Sequence, residues 1–206
     1  LFYDDSKQQW IIRNQYFDYR IGLKNNQCHH IGFLPVGLWT DDLVDQIMEL
    51  DLQPEAEVHI YRENRAQHHG LRWIGCSASQ RAEYQSFQIV AGENEQELVI
   101  TTLDVRSQLQ INYHYRIYEH SPALTRFVSL VNLSEVPISI EHLGSFSLHG
   151  MPFFNKAEFG EQIMIHSFPS SWYWEGQKKS VSAEEAGLFS AFNLASRIYH
   201  SFGRAL

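Results

Sequence analysis

From residue 108 to 117 the chain reads Gln, Leu, Gln, Ile, Asn, Tyr, His, Tyr, Arg, Ile, apolar at every odd position and polar at every even one. A period of two puts one set of side chains on each face of a strand, so this stretch predicts a sheet with one dry and one wet face. The residues after it continue the pattern. Glu119-His120-Ser121-Pro122 predicts a turn, because Pro122 has no N–H for a ladder. Residues 124–133 predict the returning strand, Ser134-Glu135-Val136-Pro137 another turn, and residues 138–148 a third strand. The apolar phase slips around Leu143-Gly144, where a bulge is expected.

Shorter strand signals lie upstream at 10–13, 16–23, 29–34, 58–61, 71–75, 87–90 and 98–103, and downstream at 162–168 and 188–193. Many short strands separated by turns argue for a sandwich or barrel rather than an α/β fold. One helix is predicted over 41–50. Thr40 can cap it, Asp41 and Asp42 suit the positive end of its dipole, and Leu43 with Ile47 and Val44 with Met48 fall at i,i+4. Ser182-Ala183-Glu184-Glu185 has the spacing of a capping box, and Gly187 follows as a stop, which predicts a single helical turn. No repeat or linker divides the chain, so one domain is expected.

Composition narrows the function. With 206 residues, 44% of them hydrophobic and 14% aromatic, the chain can bury a sizeable core. Sixteen Lys and Arg against 24 Asp and Glu give a net charge of −8, and no basic cluster matches a phosphate backbone, so nucleic acid is not an expected partner. No apolar run reaches the roughly 18 residues of a membrane helix, and no signal peptide opens the chain. Cys28 and Cys76 are too few for a disulfide framework. These features predict a reduced, cytoplasmic, soluble protein. No GxGxxG or GxxxxGK[ST] occurs, and no cofactor is expected. Because it opens on Leu1, the chain is expected to be a piece of a longer polypeptide.

Residues that could carry chemistry are few. Among eleven histidines, His29-His30 and His68-His69 are adjacent pairs whose rings would diverge on a strand. Neither HxH nor HExxH spacing is present, so no metal site is expected. Ser171-Trp172-Tyr173-Trp174-Glu175-Gly176-Gln177 sets aromatics beside a carboxylate. Flat rings of Trp172 and Trp174 can stack on sugar C–H faces while Glu175 binds hydroxyls, or the two tryptophans can pack into a core. Trp39 has the same two readings, with a hydrophobic staple beside Thr40 the simpler one. Asp4-Asp5, Asp41-Asp42 and Glu184-Glu185 occupy cap or loop contexts rather than the opposed geometry of glycoside cleavage. A nucleophile elbow of the GxSxG type is missing.

Residues 109–119, followed by Pro122-Ala123-Leu124-Thr125-Arg126, resemble a segment of glycoside hydrolase family 36 α-galactosidases in which an alternating strand ending in tyrosine precedes a "v-l-T-R" strand. Val131-Asn132 and the run from Ile140 through Glu141-His142 to Ser145-Phe146-Ser147-Leu148 are similar to the turn and the "l-E-x-l-x-S-x-s-L" strand that follow there. The block 171–177 looks like the family's "S-W-x-x-E-x-Q/W" segment, and residues 19–34 its opening strands. Gly70-Leu71-Arg72 stands in the place of a "G-x-D-F-R" motif without its Asp-Phe, and the loop after Leu34 is rewritten as the 40–50 helix.

The resemblance implies a mainly β fold, a β-supersandwich like that of galactose mutarotases, here with one short helix. It spans residues 1–206 as the N-terminal domain of a longer glycoside hydrolase and is trimmed at its C-terminal end. In the family, catalysis lies in a following (β/α)₈ barrel, which needs about 250 residues of its own. The implied role is a non-catalytic scaffold and oligomerisation domain, inactive alone, whose parent cleaves terminal α-galactosides with retention. Implied partners are that barrel, further copies of the chain and, through the parent, an oligosaccharide. Candidate sugar contacts are Trp172, Trp174, Glu175, Trp39 and Arg72. Two other readings stay open: a carbohydrate-binding module using Trp172 and Trp174, and a mutarotase-like aldose epimerase. The epimerase needs an acid and a base across a ring, for which His142 with Glu141 would diverge and His114 with Glu175 would have to meet in space. Unpaired strand edges of a trimmed sandwich predict self-association.

Overall fold

The structure is a computed structural model that describes residues 1–49, 54–61, 63, 67–68, 72–73, 77–145, 164–168, 176–182 and 185. It divides into two compact units, Leu1–His68 with Trp73–Met151 and His69–Arg72 with Pro152–Leu206.

The first unit is mainly β. Strands β1 (Phe2–Asp4), β2 (Gln9–Arg13), β3 (Phe17–Lys24) and β4 (Gln27–Pro35) form one antiparallel sheet in chain order. Helix α1 (Asp41–Met48) follows, then β5 (Val58–Ile60), the two-residue strands β6 (Gln67–His68) and β7 (Arg72–Trp73), and a short helix α2 (Ser77–Arg81). Strands β8 (Glu83–Ala91), β9 (Glu95–Asp104), β10 (Leu109–Tyr118) and β11 (Leu124–Asn132) make a second antiparallel sheet, ordered β11-β10-β9-β8. Strand β12 (Ile140–Leu143) pairs with β5.

The two sheets share one core. Trp10, Ile12, Phe17, Tyr19 and Ile21 of the first pack with Leu98, Ile100, Leu109, Ile111, Tyr113, Tyr115 and Ile117 of the second. The odd positions of β10 are all buried and its even positions only partly so, as its alternation predicts. Strand β3 is buried on both faces over Phe17–Gly22, because α1 covers the sheet's other side through Ile31, Val44 and Ile47. Thr40 caps α1 as expected, accepting a hydrogen bond from the Leu43 N–H at 3.2 Å. A Cβ on Gly22 would lie 2.7 Å from the Met48 sulfur, so the end of the Met48 side chain fills the space that glycine leaves over β3.

The strand expected after residue 137 forms as β12 and pairs with β5, and its register shift falls between Ile140 and His142, just ahead of the phase slip around Leu143-Gly144. Gly144 donates its N–H to the Glu57 carbonyl at 2.7 Å. The single expected helix has a companion in α2, whose Ser79 hydroxyl accepts from the Val58 N–H at 2.6 Å.

In the second unit, β13 (Met164–Ser167) and β14 (Lys179–Ser182) form an antiparallel pair. The expected capping box is present: the Ser182 N–H donates to Glu185 Oε2 at 2.9 Å, and the Glu185 N–H to Ser182 Oγ at 3.0 Å. The expected strand at 188–193 lies outside the described residues.

Candidate functional site

Of the residues singled out from sequence, Trp172, Trp174 and Glu175 lie outside the described residues, and for Arg72 the backbone alone is described, at the start of β7. Trp39 is described and serves the fold. Its indole N–H donates to the Asp18 carbonyl at 3.0 Å, and the Arg20 guanidinium lies 4.8 Å from its ring centroid. It also packs on the Ile31–Val44–Ile47 cluster, as a staple ahead of the Thr40 cap would. Beneath it the buried Asp18 carboxylate accepts from Arg20 Nε at 3.2 Å and Arg13 Nε at 2.9 Å.

The sandwich core holds a second buried carboxylate, Glu55. Its Oε1 accepts from the Tyr19 hydroxyl at 2.7 Å and the Tyr115 hydroxyl at 2.6 Å, and lies 3.0 Å from Arg126 Nη2. Arg126 also donates to the Glu55 carbonyl at 2.6 Å and stands 5.2 Å over the Tyr115 ring. Burial, reinforced by the Glu55 charge, pushes the Tyr19 and Tyr115 hydroxyls far above their ordinary range, so both remain neutral donors. Burial opposes the charge on Arg126, but the Glu55 carboxylate together with Tyr115 and Tyr19 outweighs it and raises the guanidinium further. These directions leave no proton to exchange near neutrality on Tyr19, Tyr115 or Arg126. The cluster is a brace, tying Glu55 to both sheets, while Glu55 Oε2 is buried with no hydrogen-bond partner among the described residues.

A third arrangement occupies the outer face of the β8–β11 sheet. Even positions of β10 share that face with Glu97 of β9 and with Phe127 and Ser129 of β11, since Arg116 stands opposite Glu97, His114 opposite Phe127 and Asn112 opposite Ser129. Gln110 Nε2 donates to Asn112 Oδ1 at 3.0 Å, and Asn112 Nδ2 to Ser129 Oγ at 3.3 Å. His114 joins Ser129 Oγ through Nε2 at 2.9 Å and Glu97 Oε1 through Nδ1 at 3.0 Å. Arg116 Nη2 donates to Glu97 Oε2 at 3.0 Å. The His114 ring stacks on Phe127 at 4.2 Å with 9° between planes. Burial alone would raise the Glu97 carboxyl, but hydrogen bonds from His114 and Arg116 prevail and hold it below the ordinary carboxylate range.

A cleft of about 470 Å³ opens where the β2–β3 turn meets the β8–β9 hairpin and the end of β10. Arg13, Asn14, Glu93, Glu95, Glu119 and His120 are on its walls. Asn14 spans it structurally, donating to the carbonyls of Tyr118 at 3.2 Å and Ser121 at 2.9 Å. Among the described residues, no three His, Cys, Asp or Glu side chains gather as a metal site.

Sequence reasoning weighed His114 against Glu175; its carboxylate partner is Glu97, one strand away and diagonal across the pleat. The signal was available in the polar alternate positions of consecutive strands, once their register was fixed. Glu55 gave no signal, standing in the irregular stretch between α1 and β5.

The family description "Glycosyl hydrolase family 36 N-terminal domain" matches residues 52–160. No curated protein matches the chain in sequence. Among solved structures, the galactosidase domain of the α-galactosidase–sucrose kinase AgaSK superposes with a TM-score of 0.65 at 16% identity, over 88% of this chain and 29% of that one. The α-galactosidase from Lactobacillus brevis gives 0.60 at 12% identity, over 88% and 28%. The family 36 α-galactosidase AgaA from Geobacillus stearothermophilus gives 0.57 at 15% identity, over 84% and 27%. The likeness is one of fold, and this chain spans less than a third of each of those chains.

Proposed function

Because the chain belongs to the glycosyl hydrolase family 36 N-terminal domain family, we propose that residues 1–206 are the N-terminal scaffold and assembly domain of a longer α-galactosidase-like enzyme. The observation that carries this reading is the extent of the likeness: 88% of this chain superposes on 29% of an α-galactosidase chain. Sugar cleavage then belongs to the remainder of the parent protein, a barrel whose two aspartates act on terminal α-galactosides of an oligosaccharide.

The disposition of carboxylates supports a structural role here. Retaining cleavage needs two carboxyl groups facing a sugar-sized space at about 5–5.5 Å. The buried carboxylates Asp18, Glu55 and Asp104 are instead each engaged by an arginine. Assembly has candidate surface at the tip formed by the end of β4 and the loop after it, where Phe33, Val36 and Leu38 are exposed. Apolar side chains at such a tip suit burial against a neighbouring copy. Sequencing the continuation of the gene product tests the reading. A following (β/α)₈ pattern with aspartates at two strand ends is expected; a product that ends at Leu206, or continues into an unrelated fold, would overturn it.

A further inference from the structure

We propose that Ser129, His114 and Glu97 form a nucleophilic relay on the outer face of the β8–β11 sheet that cleaves small carboxylic esters, an activity separate from glycoside cleavage.

The three side chains come from three neighbouring strands, on a diagonal that strand register and twist bring together. A serine-type relay requires a hydroxyl within hydrogen-bond reach of a base that a third group orients. Here the hydroxyl is 2.9 Å from His114 Nε2, and Nδ1 is 3.0 Å from the Glu97 carboxylate. The proton positions follow from the chemistry. An ionised carboxylate can only accept, so Nδ1 carries the hydrogen; in the neutral form of the ring Nε2 then holds a lone pair that accepts from the Ser129 hydroxyl. That tautomer is the one a general base needs.

The supporting groups restrain the same atoms. Arg116 Nη2 holds the second Glu97 oxygen at 3.0 Å, and Phe127 stacks flat on the imidazole. Gln110 donates to Asn112 Oδ1, which turns the Asn112 amide so that Nδ2 points at Ser129 Oγ. A side-chain N–H there can donate to the oxyanion of an ester under attack. Ser129 is half-buried, and Phe127 beside it is 40% exposed, so an acyl group bound to Ser129 would lie against the Phe127 ring.

In the reaction, Ser129 Oγ bonds to the ester carbonyl carbon as its proton passes to His114 Nε2, and the carbonyl oxygen takes up negative charge facing Asn112 Nδ2. The carbon–alkoxy bond then breaks, and the departing alcohol takes the proton from Nε2, leaving an acyl-Ser129. Water adds to that ester, giving a proton to Nε2; the acid leaves and Ser129 Oγ recovers the proton. No electrons are exchanged, and ester and water are the only reactants.

The test is labelling of the full chain with a fluorophosphonate, read by peptide mass spectrometry, alongside hydrolysis of p-nitrophenyl acetate. The expected result is one adduct, on Ser129, absent in Ser129→Ala and formed about 10²-fold more slowly in His114→Ala and His114→Gln. The glutamine variant can still hydrogen-bond to its neighbours, so it separates loss of the base from loss of the fold. A wild-type chain left unlabelled at Ser129, or labelled equally fast in His114→Gln, overturns the proposal. Either result leaves the glycosidase reading untouched, because that reading is decided on α-galactosides.

Discussion

Glu55 shows what a single side chain can decide in this fold. Its carboxylate is fully buried and shared by two tyrosines and Arg126, so removing the arginine strands a charge inside the core. Breaking such a pair costs about 3–5 kcal/mol. Arg126→Ala is expected to lower the unfolding free energy by about that amount in urea titrations, and adding Glu55→Gln to recover part of it. Asp104 makes a second prediction at this scale. Burial raises its carboxyl, but hydrogen bonds from Arg81 and Ser107 outweigh that and hold it below the ordinary value. The folded-state pKa is therefore the lower one, so its stabilising contribution is complete above the ordinary carboxylate value and is lost as pH falls through the lowered one. Thermal melts from neutral to strongly acid pH should show a smaller acid loss in Asp104→Asn than in the parent chain. Arg126 was visible in the sequence as part of a family motif, yet its partner was not, since the pairing spans 71 residues and leaves no local pattern.

At the scale of elements, legibility followed solvent. Strand β10 has one wet face, so its sequence alternates and its bounds were read almost to the residue. Strand β3 was found, but its polar Asp18 and Arg20 sit on a buried face under α1 and Trp39, so alternation there does not mean exposure. Strand β1 and helix α2, at three and five residues, are too short for a period to register and were missed. The partner of β12 was not legible, because a run of turn residues marks where the chain reverses but not which sheet it joins; here it crosses to β5. Helix α1 was readable from its cap, and the cap can be weighed. Thr40→Ala should destabilise the chain by about 1 kcal/mol in denaturant titration, and Thr40→Asp should not, since a carboxylate accepts the same Leu43 N–H. Gly22→Ala should cost no more than about 1 kcal/mol in the same titration, because the flexible end of Met48 can turn aside from the new methyl group.

For the whole molecule, fold and family were both legible, because a sandwich of alternating strands and a series of spaced motifs are each spread along the sequence. The candidate sugar contacts were less so: Trp39 carries the signature of a stacking residue and of a helix staple, the staple being the simpler reading, and the contacts it makes here are with Asp18 and the cluster under α1. The proposed function is a division of labour, in which this sandwich would support glycoside cleavage performed elsewhere in a longer protein. The most direct measurement is release of p-nitrophenol from p-nitrophenyl α-galactoside by residues 1–206 alone and by the chain extended through its downstream sequence. The account predicts no release above the uncatalysed rate from the first and turnover from the second; turnover by residues 1–206 alone, or none from the extended protein, would contradict it.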